Sequence, residues 1–188
     1  MMIEIDDSPA TSPATSPASA ALPPQGAEQT GDNPSPLTRA AAVARGVARL
    51  FSRHDIMVMP EVCLPNKRRA DLMGVDAKGQ IIIVEIKVAR GDLLGDGKWI
   101  EYLDYCDRFY WALPGGFDHT PLDWPEFMPE RTGLILADAY DAEMVRSAAT
   151  HALAPSRRKT ETTRLARRSM QRLSEVNGWI DPVVRDFF

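Results

Sequence analysis

The sequence predicts an α/β fold: a mixed central sheet flanked by helices and closed by a basic C-terminal helix. Three observations carry this. Apolar residues recur at helical spacing from Leu37 to Phe51. Three short runs rich in β-forming residues follow, the last two separated only by a turn at Asp76-Ala77-Lys78-Gly79. A further helix-spaced segment near residues 98–107 then leads into the strand-like run Arg108-Phe109-Tyr110-Trp111-Ala112-Leu113. A hairpin followed by a helical crossover requires antiparallel and parallel neighbours in one sheet.

Before these elements lies a different kind of sequence. Residues 1–34 hold five of the 26 acidic residues and none of the 22 basic ones, and Ser8 to Ser19 is a repeat-like string of Ser, Pro, Ala and Thr. Such a segment cannot bury enough apolar surface to offset its ordering entropy. The sequence therefore predicts a disordered tail over 1–34 and a single domain over 35–188. Without the tail the formal charge moves from −4 to about +1, so net charge argues neither for nor against a nucleic-acid partner.

The domain opens with Ser35-Pro36, an N-cap residue followed by Pro at the first helical position. Leu37, Ala40, Ala41, Ala44, Val47, Ala48 and Phe51 then mark one face of a helix over about 36–53. Ile56–Val62, Arg69–Val75 and Gln80–Ala89 read as strands. Trp99, Tyr102, Leu103 and Cys106 place a helix over about 98–107, and Arg108–Leu113 is a fourth strand. A proline-punctuated loop follows, then a fifth strand at Gly133–Ala137 with Glu143–Arg146 pairing beside it. Residues 156–174 form the basic helix. No run of 18 apolar residues exists, the N-terminus lacks a signal-peptide pattern, Cys63 and Cys106 are the only cysteines, and the three histidines have no zinc-site spacing. These features point to a cytoplasmic protein with no membrane segment and no disulfide framework.

The chemistry is concentrated in the hairpin. Asp at the first and Gly at the fourth turn position suit a type I turn closed by a left-handed glycine. That turn sets Asp76 opposite Gln80, and counting back along both strands sets Asp71 opposite Glu85. Alternation puts Asp71, Met73 and Val75 on one face with Ile81, Ile83, Glu85 and Lys87. Directly opposed carboxylates repel, and the strand around Glu85 is apolar on both faces, hence central. A hard divalent cation resolves the conflict. Mg²⁺ takes oxygen ligands at about 2.1 Å and leaves room for water and phosphate. Lys87, on the same face, is placed to assist an attacking water or offset charge on a phosphate. The plainer alternative is a strand-end Glu85–Lys87 ion pair beside a solvated Asp71.

Asp71 followed by Glu85-Ile86-Lys87, after a helix and a strand, resembles the PD-(D/E)XK nuclease superfamily. The longer pattern of Pro60 to Val62, Arg68 to Asp76, Ile83 to Val88, Asp92, and Asp96 to Ala112 resembles the MmcB-like DNA repair family. The resemblance spans roughly residues 36–174. It implies a restriction-endonuclease-like αβββαβ core, a divalent metal (Mg²⁺ or Mn²⁺) and a role in DNA repair, with DNA and other repair proteins as partners. The superfamily's Pro before the Asp is Ala70 here, and the Asp itself supplies the ligand. The resemblance also makes Glu61 a candidate third metal ligand; otherwise Glu61 is a surface carboxylate at a strand end.

Two further groups are candidates for DNA contact. Lys98 lies where a phosphate could meet the crossover helix. Arg157, Arg158, Arg164, Arg167 and Arg168 lie in a basic segment where Arg157, Arg164, Arg168 and Arg172 recur near helical spacing, a stripe that can neutralise phosphates, unless that helix is only a solvated face packing through Leu165, Met170 and Leu173. The functional expectation is a metal-dependent endonuclease-like phosphodiesterase acting on DNA. Its alternative is a catalytically inactive DNA-binding or scaffold module that keeps the fold.

Overall fold

The computed structural model describes residues 35–182; the tail expected to be disordered lies outside the described residues. Helix α1 spans Pro36–Arg53, and the Ser35 hydroxyl accepts from the Thr38 amide at 3.2 Å as its N-cap. Strands β1 (Ile56–Cys63), β2 (Arg69–Asp76) and β3 (Ile81–Ile86) follow, then a short helix α2 (Arg90–Gly95) and a 3-10 helix at Trp99–Tyr105. Strand β4 (Arg108–Pro114), two 3-10 turns (Thr120–Asp123 and Pro125–Phe127), β5 (Gly133–Ala137), β6 (Ala142–Arg146) and helix α3 (Pro155–Val176) complete the order. The six strands form one sheet in sequence order. It is antiparallel across β1–β2–β3, parallel across β3–β4–β5 and antiparallel again at β6. This is the mixed α/β sheet the sequence predicts.

Strand alternation divides the core into two layers. Leu72, Ile82, Val84, Tyr110 and Ile135 face α1, which presents Val43, Val47, Leu50 and Phe51. Met73, Ile81, Ile83, Phe109 and Trp111 face the opposite way, onto Trp99, Tyr102, Leu103, Phe127 and Leu165 of α3. β3 is therefore buried on both faces, as its unbroken apolar run requires. Gly46 lets α1 approach the β5–β6 turn closely, because a Cβ there would meet the carbonyls of Asp138 and Asp141. Among the described residues no helix is long and apolar enough to cross a membrane.

Two elements differ from expectation. β3 stops at Ile86 instead of continuing to Ala89, because Ile86 N–H turns to the Asp71 carboxylate (2.7 Å) and the pairing with β2 ends. The crossover segment is a 3-10 helix, not an α-helix, preceded by the unanticipated α2. In a 3-10 helix residues three apart eclipse, so Trp99, Tyr102 and Tyr105 form a single buried ridge against the sheet. A spacing of three was present in the sequence beside the α-like spacing of Leu103 and Cys106.

Helix α3 is tied to the sheet through Asp107. Its fully buried carboxylate accepts from the amides of Ile81 (2.7 Å) and Leu153 (2.8 Å) and from the Arg158 guanidinium. Burial alone would raise the Asp107 pKa, but these donors outweigh it and hold the carboxyl below its ordinary value. A depressed folded pKa stabilises the protein above the unfolded value, and that contribution is lost as pH falls through the folded one. Asp107→Ala leaves Arg158 and two amides unmatched and is expected to cost about 3–5 kcal/mol near neutral pH. Urea denaturation at neutral pH should show the loss, and the gap to wild type should narrow in acid. An unchanged midpoint would remove Asp107 from this role.

Candidate active site

The site begins at the hairpin turn. The Asp76 carboxylate accepts from the amides of Lys78 and Gln80, each at 2.9 Å, and pairs with Arg108 at 2.8 Å. Gly79, at a φ of 75°, closes the turn in the left-handed region and donates to the Asp76 carbonyl at 2.9 Å. The register follows: Val75 pairs with Ile81, Met73 with Ile83 and Leu72 with Val84. The next positions along the two strands are Asp71 and Glu85. There the strands part, and one Asp71 oxygen takes the Ile86 amide that β2 no longer satisfies.

Glu85 and Lys87 are buried. Lys87 Nζ donates to Glu85 Oε1 at 3.1 Å and to Asp96 Oδ2 at 2.7 Å. Glu85 Oε2 is buried with no hydrogen-bond partner among the described residues. Burial, then the Asp71 charge, pushes the Glu85 pKa up to about 7. Burial also raises Asp71, against the opposing effect of the Ile86 amide. Burial pulls Lys87 down, but Glu85 and Asp96 more than reverse this and keep it a cation. The Tyr102 hydroxyl donates to the Arg69 carbonyl at 2.9 Å, and its pKa is raised by burial and then by the nearby carboxylates.

Glu85, Lys87 and Tyr102 line a cleft of about 390 Å³, together with Arg68, Asp92, Asp96 and Lys98; Asp71 lies beside Glu85, outside that lining. A buried carboxylate oxygen with no donor, next to a second carboxylate of raised pKa, is an arrangement a hard cation completes. Asp71 and Glu85 are the two carboxylates that could hold such a cation, and the cleft beside Glu85 is open to water. Glu61 does not join them. Its backbone is left-handed (φ 52°), its exposed carboxylate lies 3.6 Å from Arg69, and it reaches Asp71 only as a minor repulsive charge. Among the described residues no group of three Asp, Glu, His or Cys side chains is arranged to hold a metal ion.

The other expected residues divide. Lys98 lines the cleft. Arg157 stacks over the Tyr105 ring at 5.0 Å, Arg167 is exposed, and Arg168 lies 3.5 Å from the Gln171 side-chain oxygen. Arg158 and Arg164 hold the fold together. Arg158 pairs with buried Asp107; Arg164 donates to the Cys63 carbonyl at 2.7 Å and pairs with buried Glu161. Arg172 similarly donates to the carbonyls of Pro60 (2.5 Å) and Glu61 (3.1 Å). Leu165 packs in the core, whereas Met170 and Leu173 are exposed. Two site features escape sequence reasoning: the Asp96 clamp on Lys87, and the two-pronged Arg68–Glu101 pair at 2.9 Å on the cleft wall. Neither has a sequence spacing that signals contact.

A family model described as DNA repair protein MmcB-like matches residues 29–179. A solved structure, a protein of unknown function from Silicibacter pomeroyi, is 36% identical to this chain, with a TM-score of 0.67. The match covers 82% of this chain and 99% of that one. No curated protein matches the chain.

The raised Glu85 pKa sets a pH dependence for the metal-free protein. The folded state holds this proton more tightly than the unfolded state. Stability therefore falls as pH rises from the ordinary carboxylate range through about 7, and the penalty is complete above that. Glu85→Gln removes it. In chelator the variant should melt at or above wild type near pH 8 and lose that advantage below about pH 5, close to the unperturbed Glu pKa. A variant melting far below wild type near pH 8 would show that the charge on Glu85 is not a burden.

Proposed function

The chain belongs to the MmcB-like DNA repair family, and on that footing we propose that it is a metal-dependent phosphodiesterase acting on DNA, of the PD-(D/E)XK type. The observation that carries this reading is the partnerless buried oxygen of Glu85 beside Asp71, with a lysine cation fixed at the same cleft. Asp71 and Glu85 would hold Mg²⁺ or Mn²⁺. A bound ion of this kind polarises a phosphate and lowers the pKa of a coordinated water.

The protein's own groups do the rest. Glu85 and Asp96 hold Lys87 protonated and fixed, so that it can donate to the attacking water or to a phosphate oxygen as negative charge builds there. Lys98 neutralises phosphate at the cleft, and Arg157, Arg167 and Arg168 extend the positive surface along α3. Glu85 and Lys87 are themselves buried, which limits how far bulk water screens that pair.

Cleavage assays with Mg²⁺ or Mn²⁺ on duplex, nicked and single-stranded DNA should give products with wild type and none with Asp71→Ala or Lys87→Ala. Persistent cleavage by Asp71→Ala would overturn the assignment. Salt-sensitive DNA binding without cleavage, unaffected by Glu85→Ala, would favour a non-catalytic repair module. In thermal melts, metal at about 100 times its dissociation constant should stabilise wild type by roughly 2.7 kcal/mol and Asp71→Asn far less. The joint substitution of Arg157 and Arg167 by Ala should lower the slope of log affinity against log salt by about 0.9 per lost duplex contact. An unaltered slope would place the phosphate surface elsewhere.

A further inference from the structure

A second depression adjoins the cleft. It has a volume of about 360 Å³, and its lining includes Leu94, Trp99, Ile100, Trp124, Glu126 and Phe127. Asp96 lies in the wall of both hollows. The floor is stiff: Trp99 and Phe127 are buried and belong to an aromatic cluster in which each ring contacts Trp111, at centroid separations of 5.3 and 5.7 Å. The upper walls are open, with Leu94 46%, Ile100 48% and Trp124 43% exposed. The hollow is thus an apolar, partly aromatic recess, preformed by the core and reachable from solvent, the usual form of a ring-binding site.

Its charge selects the occupant. The charged residues lining it are acidic: Asp96, whose oxygens already accept from Lys87 and the Lys98 amide, and Glu126, which faces the recess as its acceptor. A phosphate or carboxylate is repelled there, whereas a flat neutral ring with N–H groups to donate is welcome. Carboxylates accept from the exocyclic amino groups of bases, and an indole stacks on any base face. The neighbouring cleft differs in offering cations, Lys87, Lys98 and Arg68, among its carboxylates Glu85, Asp92 and Asp96. A cleft that offers lysines to a phosphate and an adjoining aromatic hollow that offers none match a phosphate and the base next to it.

We propose that the Trp124 recess binds an unpaired nucleobase of the strand whose phosphate occupies the cleft, favouring bases with an exocyclic amino group over thymine. This rests on reading the cleft as a DNA phosphate site, and it makes the substrate single-stranded or locally unpaired DNA. A base stacked inside a duplex cannot enter such a recess without leaving the helix.

The test uses the full chain in chelator, so that binding is read without cleavage. Fluorescence anisotropy is measured with labelled oligodeoxycytidine, oligodeoxyadenosine, oligothymidine and a fully paired duplex. Wild type should bind the cytidine and adenosine strands more tightly than the thymidine strand. Trp124→Ala should weaken single-strand binding by about tenfold or more, as loss of a base-stacking aromatic does, and leave duplex binding unchanged. Ile100→Ser, at a second exposed wall position, should act in the same direction, and Glu126→Leu should erase the preference against thymidine. Equal loss on single strand and duplex, or no loss in either recess variant, overturns the proposal. So does a concentration-dependent self-association that Trp124→Ala abolishes, since a second copy would then fill the recess. The catalytic reading is scored separately with metal and Asp71→Asn. Trp124-dependent binding without any wild-type cleavage sinks that reading alone, and cleavage with binding indifferent to Trp124 sinks the recess alone.

Discussion

Everything at the site depends on the turn at Asp76–Gly79. Its side-chain and backbone hydrogen bonds leave the β2–β3 pair one register, and side-chain alternation converts that register into chemistry. A slip of one residue would send Asp71 to the α1 face and replace it with Leu72. Arg108 reinforces the turn from β4, on Asp76. The strand that carries no site carboxylate thus helps to fix the positions of those that do.

The cost of the arrangement is visible in how the surrounding structure is built. Two carboxylates and a lysine sit where three apolar side chains would pack more favourably. The charges are balanced in pieces. Lys87 answers Glu85 and Asp96, the Ile86 amide answers Asp71, and one oxygen of Glu85 is left without an answer among the described residues. The rest of the sheet compensates. Ile81, Ile82, Ile83 and Val84 are fully buried, Trp111 stands beside Glu85 on β4, and α1 and α3 shield the opposite layers. This hydrophobic frame both supplies the stability that the buried charges withdraw and lowers the local dielectric in which they act.

How much of this was legible in the sequence depends on whether the signal was local. The Ser35 cap, the helix it starts and the hairpin register come from neighbours within a few residues, and these readings match the structure closely. The length of β3 did not, because its end is set by a hydrogen bond from Ile86 back to Asp71 on another strand. Asp96 and Asp107 each carry a decisive contact, but their partners lie in other elements, and an Asp in a loop has no pattern that names a distant cation. The arginines of α3 show the limit most clearly. Their periodicity identifies a face, yet a guanidinium suits a phosphate, a buried carboxylate and a backbone carbonyl alike. Arg158 and Arg164 took the latter two, and only the packing of α3 on the sheet separates them from Arg157 and Arg167.

Those committed arginines have a consequence for life at high concentration. β1 is an edge strand, and an open edge invites another chain to add itself to the sheet. Near its C-terminal end, however, the carbonyls of Pro60, Glu61 and Cys63 accept from Arg172 and Arg164 of α3, and Pro60 has no N–H to offer. The helix lies along the exposed border like a hem. A stray strand approaching that end would find its acceptors occupied, a donor missing and positive charge in the way. The basic helix therefore guards this end of the β1 edge against strand addition, whatever else its remaining arginines touch.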